Sequence, residues 1–408
     1  MIQNNNIIVQ KFGGSSLTEK EHREKVINHI KDQLAKAKKI VVVVSAMGRK
    51  GDPYATDTLI NHIKENGNSL QNREMDLLLS CGEIISATTL SSMLSEVQIK
   101  NIVLTGGQAG IITNNNFSNA QIKTIKPKRV LEELEKGYVV IITGFQGITE
   151  TGDITTLGRG GSDTTATAIG VALQAEIVDI FTDVQGIMSA DPRIVKEAEQ
   201  LLAVSYEEIC NLTNQGAKVI HPRAVEIAMG HKIPIRVRST FSNDEGTLVT
   251  SLDKLKLHKQ ELKIKDRIIT GITQVSNIAQ IKVNVQEDQY DTQLKVFKAM
   301  ADDNISVDFI NVNQFCVTFT VNESVIEKVQ KILKSKGYDP IITSNCAKIS
   351  IIGAGMAGVP GVMAYIVEAL TNINVQILQS ADSHTTIWVL VKEEEMDIAI
   401  KALHHKFY

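Results

Sequence analysis

Ile40-Val41-Val42-Val43-Val44 is apolar at every position and lacks the alternation of a strand with one wet face. A short β-branched run of this kind reads as a strand covered on both sides, which suits a parallel sheet between two layers of helices. The same texture recurs outward from it. Upstream, Ile7-Ile8-Val9-Gln10-Lys11-Phe12 reads as a strand that ends in Gly13-Gly14, and residues 20–37 read as a helix. Downstream, residues 101–104, 138–143 and 177–182 read as strands with helical stretches between them. Repeated strand–helix–strand units predict an open, mainly parallel α/β sheet with helices on both faces, and ligands gather at the carboxyl ends of such strands.

The chain has 408 residues, more than one core usually holds, so two or three domains are expected. A net charge of -3, with Lys and Arg interspersed among Asp and Glu, argues against a nucleic-acid binder. Four scattered cysteines (Cys81, Cys210, Cys316 and Cys346) have no CxxC spacing, so neither a disulfide framework nor a zinc site is expected. The histidines form no HExxH motif, and His404-His405 reads as an exposed helix end. Met1-Ile2-Gln3-Asn4-Asn5-Asn6 has no basic segment followed by an apolar run, and the stretch from Ile40 to Val44 is too short to span a bilayer. A cytoplasmic protein without membrane attachment is expected.

Around residues 250–265 the sequence turns charged and loses its strand signal, which marks the main boundary. Beyond it lies an internal repeat. Asn304-Ile305-Ser306-Val307-Asp308-Phe309-Ile310 resembles Asn372-Ile373-Asn374-Val375-Gln376-Ile377-Leu378. Each segment follows an amphipathic helix (292–301 and 361–370) and precedes a strand (315–321 and 386–391) and a second helix. With strands at 278–285 and 347–352, each copy reads β-α-β-β-α, the ferredoxin-like pattern. Copies this small are expected to pair with each other.

Several loops carry candidate chemistry. Lys11-Phe12-Gly13-Gly14-Ser15-Ser16 joins a point charge to two glycines whose amides can face phosphate oxygens, although alone it reads equally as a β-turn with a surface lysine. Gly158-Arg159-Gly160-Gly161-Ser162-Asp163 precedes a helix of small and apolar residues. Ser162 or Asp163 can cap that helix, whose N-terminus suits an anion, and Arg159 offers a planar fork to a carboxylate. Phe181-Thr182-Asp183 and Asp191-Pro192-Arg193 form a weaker nucleotide signal, and Gly144-Phe145-Gln146-Gly147 is a tight turn after a strand. Glu83 is a lone acid in an apolar helical stretch; if buried it needs a partner, such as an ammonium group. No Walker A motif and no protein-kinase HRD and DFG set is present. Gly353-Ala354-Gly355-Met356-Ala357-Gly358 matches GxGxxG, but too little chain follows to complete a dinucleotide fold. It reads instead as a turn that lets a small ligand or a partner approach the backbone.

Taken together, the segments at 11–16, 41–49, 105–113, 144–147, 155–166, 181–193, 216–224 and 233–240 resemble, in order, those of the aspartokinase family of the amino-acid kinase fold. The tail resembles that family's paired ACT domains. The resemblance implies a catalytic domain over 1–250 and ACT domains over 265–340 and 345–408, with no homoserine dehydrogenase module after Tyr408. It implies ATP- and Mg²⁺-dependent phosphorylation of L-aspartate by a homo-oligomer, dimer or tetramer. Feedback by diaminopimelate, lysine or threonine is implied as well, the first being the nearest likeness.

The resemblance also implies roles. Lys11 would contact the ATP phosphates, with Gly13, Gly14 and Ser15 lining the phosphate channel and Asp163 positioning Lys11. Ser45, Thr56, Glu83, Gly144 and Phe145 would hold aspartate, with Glu83 on its ammonium group. Arg159 would clamp its α-carboxylate beside Ser162. Thr182, Asp183, Met188, Arg193 and Lys218 would bind the nucleotide; the family commonly has Tyr where this chain has Met188. Asp308, Ser380, Ala381 and Asp382 would lie at the effector site.

Overall fold

The structure, a computed structural model, describes residues 6–67, 69–261, 267–285, 291–356 and 358–408. It forms two compact units. The first comprises Met1–Ile187, Gln200–Asn214 and Lys218–Lys265. The second comprises Met188–Glu199, Gln215–Ala217 and Asp266–Tyr408.

The first unit runs β1 (Ile7–Phe12), α1 (Gly14–Leu17), α2 (Lys20–Ala35), β2 (Lys39–Val44), α3 (Thr56–Asn66), α4 (Asn72–Glu96), β3 (Asn101–Leu104), β4 (Ile111–Thr113), β5 (Ile122–Ile125), α5 (Lys128–Glu135), β6 (Val139–Thr143), β7 (Gln146–Ile148), β8 (Ile154–Thr156), α6 (Gly161–Ala172), β9 (Ile177–Thr182), β10 (Ala203–Ser205), α7 (Tyr206–Asn214), α8 (Pro222–His231), β11 (Ile235–Ser239), β12 (Thr247–Thr250) and α9 (Leu252–Glu261). Eight of the strands form one sheet in the order β10-β12-β11-β9-β1-β2-β6-β3, parallel at every pairing except β11 with β12. The run from Ile40 to Val44 is buried throughout. One face of β2 joins a core of Phe12, Ile30, Leu90 and Phe181. A smaller sheet, β5-β4-β7-β8, stands apart from the large one.

α4 is long and apolar enough to cross a membrane by length and composition. Its Asp76, Leu79, Glu83, Leu90 and Leu94 are buried, so it serves as a core helix of this unit. The boundary expected around 250–265 is partly occupied by α9, and residues 262–266 lie outside the described residues.

The second unit runs β13 (Gly271–Asn284), α10 (Thr292–Asp302), β14 (Asp308–Val312), β15 (Cys316–Asn322), α11 (Ile326–Ser335), β16 (Ile341–Ile352), α12 (Val362–Thr371), β17 (Gln379–Asp382), β18 (Thr386–Lys392) and α13 (Met396–Phe407). Both copies of the repeat enter one antiparallel sheet, β14-β15-β13-β16-β18-β17. β13 and β16 are longer than the sequence pattern suggests because each pairs with the other along its length and with its own repeat over only part. Flat, the edge strands β14 and β17 would lie about 24 Å apart, five spacings of about 4.8 Å. Instead Gln379 Nε2 donates to the Phe309 carbonyl at 2.6 Å. The sheet therefore curls, aided by register shifts between Val275 and Gln280, and encloses Phe309, Cys346 and Leu390.

One expectation for this unit is corrected. His404 is buried, not exposed: its Nε2 lies 2.9 Å from Ser189 Oγ and its ring stacks on Tyr408. Burial holds its pKa below the usual histidine value. In the turn beginning at Gly353, a Cβ on Gly353 would lie 2.5 Å from the Ile268 carbonyl, so one backbone that approaches there is the chain's own. Ala357 in that motif is outside the described residues.

Asp179 and Arg236 face each other across β9 and β11, with Nε–Oδ1 at 2.8 Å and Nη2–Oδ2 at 3.1 Å. Asp179 is fully buried while a quarter of the Arg236 side chain meets water. Asp179→Ala is expected to lower stability by about 2 kcal/mol, less than the loss for a fully enclosed pair. An unchanged urea midpoint would show that the pair contributes nothing.

Candidate active site

β1, β2, β6 and β9 are parallel neighbours, so their carboxyl ends open on one side of the sheet. Lys11 lies in β1 between Val43 and Ile180, with its side chain mostly buried. Its Nζ lies 2.8 Å from Asp163 Oδ1. The other oxygen of Asp163 accepts the His221 backbone N–H at 3.2 Å.

The loops are interlocked at backbone level. Ser45 N–H donates to the Phe12 carbonyl at 3.1 Å, and Gly48 N–H donates to the Gly14 carbonyl at 3.1 Å. A Cβ on Gly14 would fall 2.6 Å from the Gly48 carbonyl, so only glycine allows this approach. Gly144 N–H donates to the Val44 carbonyl at 2.9 Å, and Gly144 sits against the Ser162 side chain. Phe145 N–H donates to Thr165 Oγ1 at 3.1 Å. Lys11, Gly13, Gly14, Ser45, Gly144, Phe145, Ser162 and Asp163 thus lie on strand ends, loops and helix starts tied directly to one another.

Glu83 enters from α4 and is 2% exposed. Oε1 accepts the Ala46 N–H at 2.9 Å, whereas Oε2 has no hydrogen-bond partner among the described residues. Burial pushes this carboxyl up to about 8, against the downward pull of the Ala46 N–H. Thr56 opens α3, preceded by buried Ala55, whose neighbour Tyr54 turns its carbonyl toward Gly82.

Ser162 and Asp163 do not cap α6, contrary to expectation. The cap position is Gly160, at φ +67°, and both residues lie within the first turn. A Cβ on Gly160 would fall 2.1 Å from the His221 ring. That close packing starts the helix early and leaves Asp163 free to meet Lys11.

The remaining candidates are less gathered. Arg159 is exposed and forms no ion pair among the described residues. Asp183 pairs with Arg49 and accepts from Thr182 Oγ1 at 3.1 Å; Lys218 is exposed. Met188 and Arg193 belong to the second unit, where Arg193 lies 2.7 Å from Asp191 and holds that carboxyl below its usual value. Asp308 pairs with buried Lys348. Asp308 begins edge strand β14, and Ser380, Ala381 and Asp382 lie in the opposite edge strand β17, which the curled sheet brings toward it.

Sequence reasoning passed over His221, Arg49, Asp76 and Arg223. Asp76 stands seven residues before Glu83, two helical turns away on the same face of α4, a spacing that the sequence does display. No group of three or more His, Cys, Asp or Glu suited to a metal is found among the described residues.

The family model "Amino acid kinase family" matches residues 6–239, and an "ACT domain" model matches residues 341–405. Aspartokinase 1 of Bacillus subtilis is 54% identical over 401 residues, covering 98% of each chain. Aspartokinase of Geobacillus stearothermophilus is 40% identical over 408 residues, covering 98% of this chain and 97% of that one. E. coli aspartokinase III, solved in complex with aspartate and ADP, superposes with a TM-score of 0.76 at 24% identity, covering 98% of this chain and 99% of that one. On this similarity along nearly its whole length, the chain belongs to the aspartokinase family of amino-acid kinases.

Proposed function

We propose that the chain transfers the γ-phosphoryl group of ATP to the side-chain carboxylate of L-aspartate, giving 4-phospho-L-aspartate for the lysine, diaminopimelate, threonine and methionine branches. The observation that carries this reading is Glu83: a buried carboxylate with one oxygen unpartnered beside the loops that hold Lys11. An incoming ammonium group supplies the partner that this oxygen lacks, and an amino-acid substrate brings one.

Aspartate's side-chain carboxylate is ionised at neutral pH, with a pKa of about 4, so it attacks without a general base. The obstacle is bringing two anions into line. Lys11 supplies positive charge, Asp163 fixes where that charge sits, and the N–H groups around Gly13, Gly14 and Ser15 face the phosphates. Arg159 and Ser162 hold the α-carboxylate, while Ser45, Thr56, Gly144 and Phe145 shape the pocket. Mg²⁺ suits the phosphates rather than a protein cage, since it keeps several waters and needs only one or two carboxylates beside the substrate oxygens. Thr182, Asp183 and Lys218 are the nucleotide side; Arg49 must release Asp183 before that carboxylate turns to a ligand. Met188 and Arg193 complete the nucleotide assignment. We assign the protein to the cytoplasm as a homo-oligomer.

Lys11→Ala is expected to lower kcat by about three orders of magnitude with an unchanged circular dichroism spectrum. Near-normal turnover would remove Lys11 from the mechanism.

Glu83 gives a pH signature. Its pKa of about 8 in the free enzyme means that it is largely protonated at pH 6.5 and must ionise to pair with the ammonium group. KM for aspartate should therefore fall about tenfold per pH unit up to about pH 8 and then level. Glu83→Gln should raise KM and flatten the profile, and a steep profile in that variant would assign the titration elsewhere.

The curled ACT sheet is read as an amino-acid sensor, with Asp308, Ser380, Ala381 and Asp382 at its effector site. E. coli aspartokinase III is also known in complex with lysine. Calorimetric titration with meso-diaminopimelate, lysine and threonine should find one that binds and inhibits; silence with all three would leave the ACT pair a purely structural module.

A further inference from the structure

Asp76 is buried in α4, and among the described residues its side-chain hydrogen bonds go to Ser118 and Thr156, neither of them assigned above to substrate or nucleotide. Its carboxylate gathers donors from two separate segments. Ser118 N–H donates to Oδ2 at 2.9 Å, and Ser118 Oγ lies 3.4 Å from Oδ1. Thr156 N–H donates to Oδ2 at 2.8 Å, and Thr156 Oγ1–H donates to Oδ1 at 2.8 Å. The two segments also bond directly, Ala120 N–H to the Thr156 carbonyl at 2.8 Å.

Arg223 in α8 does the complementary work. Its guanidinium donates to the Leu157 carbonyl at 3.3 Å and to the Ala120 carbonyl at 3.4 Å. An anion thus collects N–H groups, and a cation C=O groups, from the same two stretches of backbone. Directly after Leu157 come Gly158, packed against the Asn119 side chain, and exposed Arg159.

We propose that Asp76 and Arg223 are positioning residues for Arg159: they fix the stem of its loop so that the guanidinium is delivered to the α-carboxylate of the substrate. This rests on the reading of Arg159 as that clamp. A carboxylate is required at position 76 because it only accepts, with about four lone-pair sites for converging donors. Asparagine has a single acceptor oxygen and would turn an N–H group toward N–H groups.

The test is steady-state kinetics of the full chain with Asp76→Asn, Thr156→Val, Arg223→Gln and Arg159→Lys, alongside hydrogen exchange of residues 156–161. Arg159→Lys should raise KM for aspartate. Asp76→Asn and Arg223→Gln should raise it about tenfold and Thr156→Val several-fold, each with KM for ATP unchanged within about twofold and with faster exchange in the loop. Thr156→Val removes one hydroxyl without burying an unpaired charge, so it carries the test if Asp76→Asn does not fold. If Arg159→Lys raises KM while the other variants leave it unchanged, positioning is overturned and the clamp stands. An unchanged KM in Arg159→Lys overturns both. Parallel rises in both KM values would show general loosening and also overturn the proposal.

Discussion

A parallel sheet covered on both faces leaves its polar work to the loops at the strand ends, and those loops must satisfy their own backbone groups there. In this chain the first unit depends on that constraint. The loops after β1, β2 and β6 donate to one another's carbonyls, and Asp163 joins Lys11 to the turn at His221. Buried charge is used sparingly and in definite roles. Asp179 with Arg236 ties β9 to β11, and Asp76 is satisfied by four donor groups. Glu83 keeps an oxygen without a hydrogen-bond partner among the described residues, and its raised pKa is the cost of that burial.

The large sheet was legible because its strands announce themselves. Ile40 to Val44 is uniformly apolar, and Ile7 to Phe12 ends in paired glycines, so periodicity and turn chemistry agree. The tail was legible through its repeat. The curl of its sheet was not, because the length of β13 and β16 is set by their pairing with each other, a tertiary fact. Glu83 could be singled out as an acid among apolar neighbours. Asp76 escaped notice although it shares Glu83's helix face, because its partners are backbone groups at 118 and 156 that no local pattern connects.

The helix start before Ser162 and the burial of His404 were misjudged for one reason. Local signals, a serine and an aspartate after glycines and two histidines near a helix end, were outweighed by packing against residues distant in sequence. Gly160 meets His221, and His404 meets Ser189. Propensity is a weak prior where a distant side chain occupies the space.

The second unit borrows Met188–Glu199 from the middle of the chain, seating Ala190 and Val195 in a core with Ile351, Ile400 and Leu403. Ser189 contacts His404, 215 residues further on. During synthesis this segment emerges early and then waits for α13 before its apolar residues find their place. The core of the second unit therefore closes only after most of the chain has left the ribosome, and the interval is one in which a holdase chaperone has exposed apolar surface to bind.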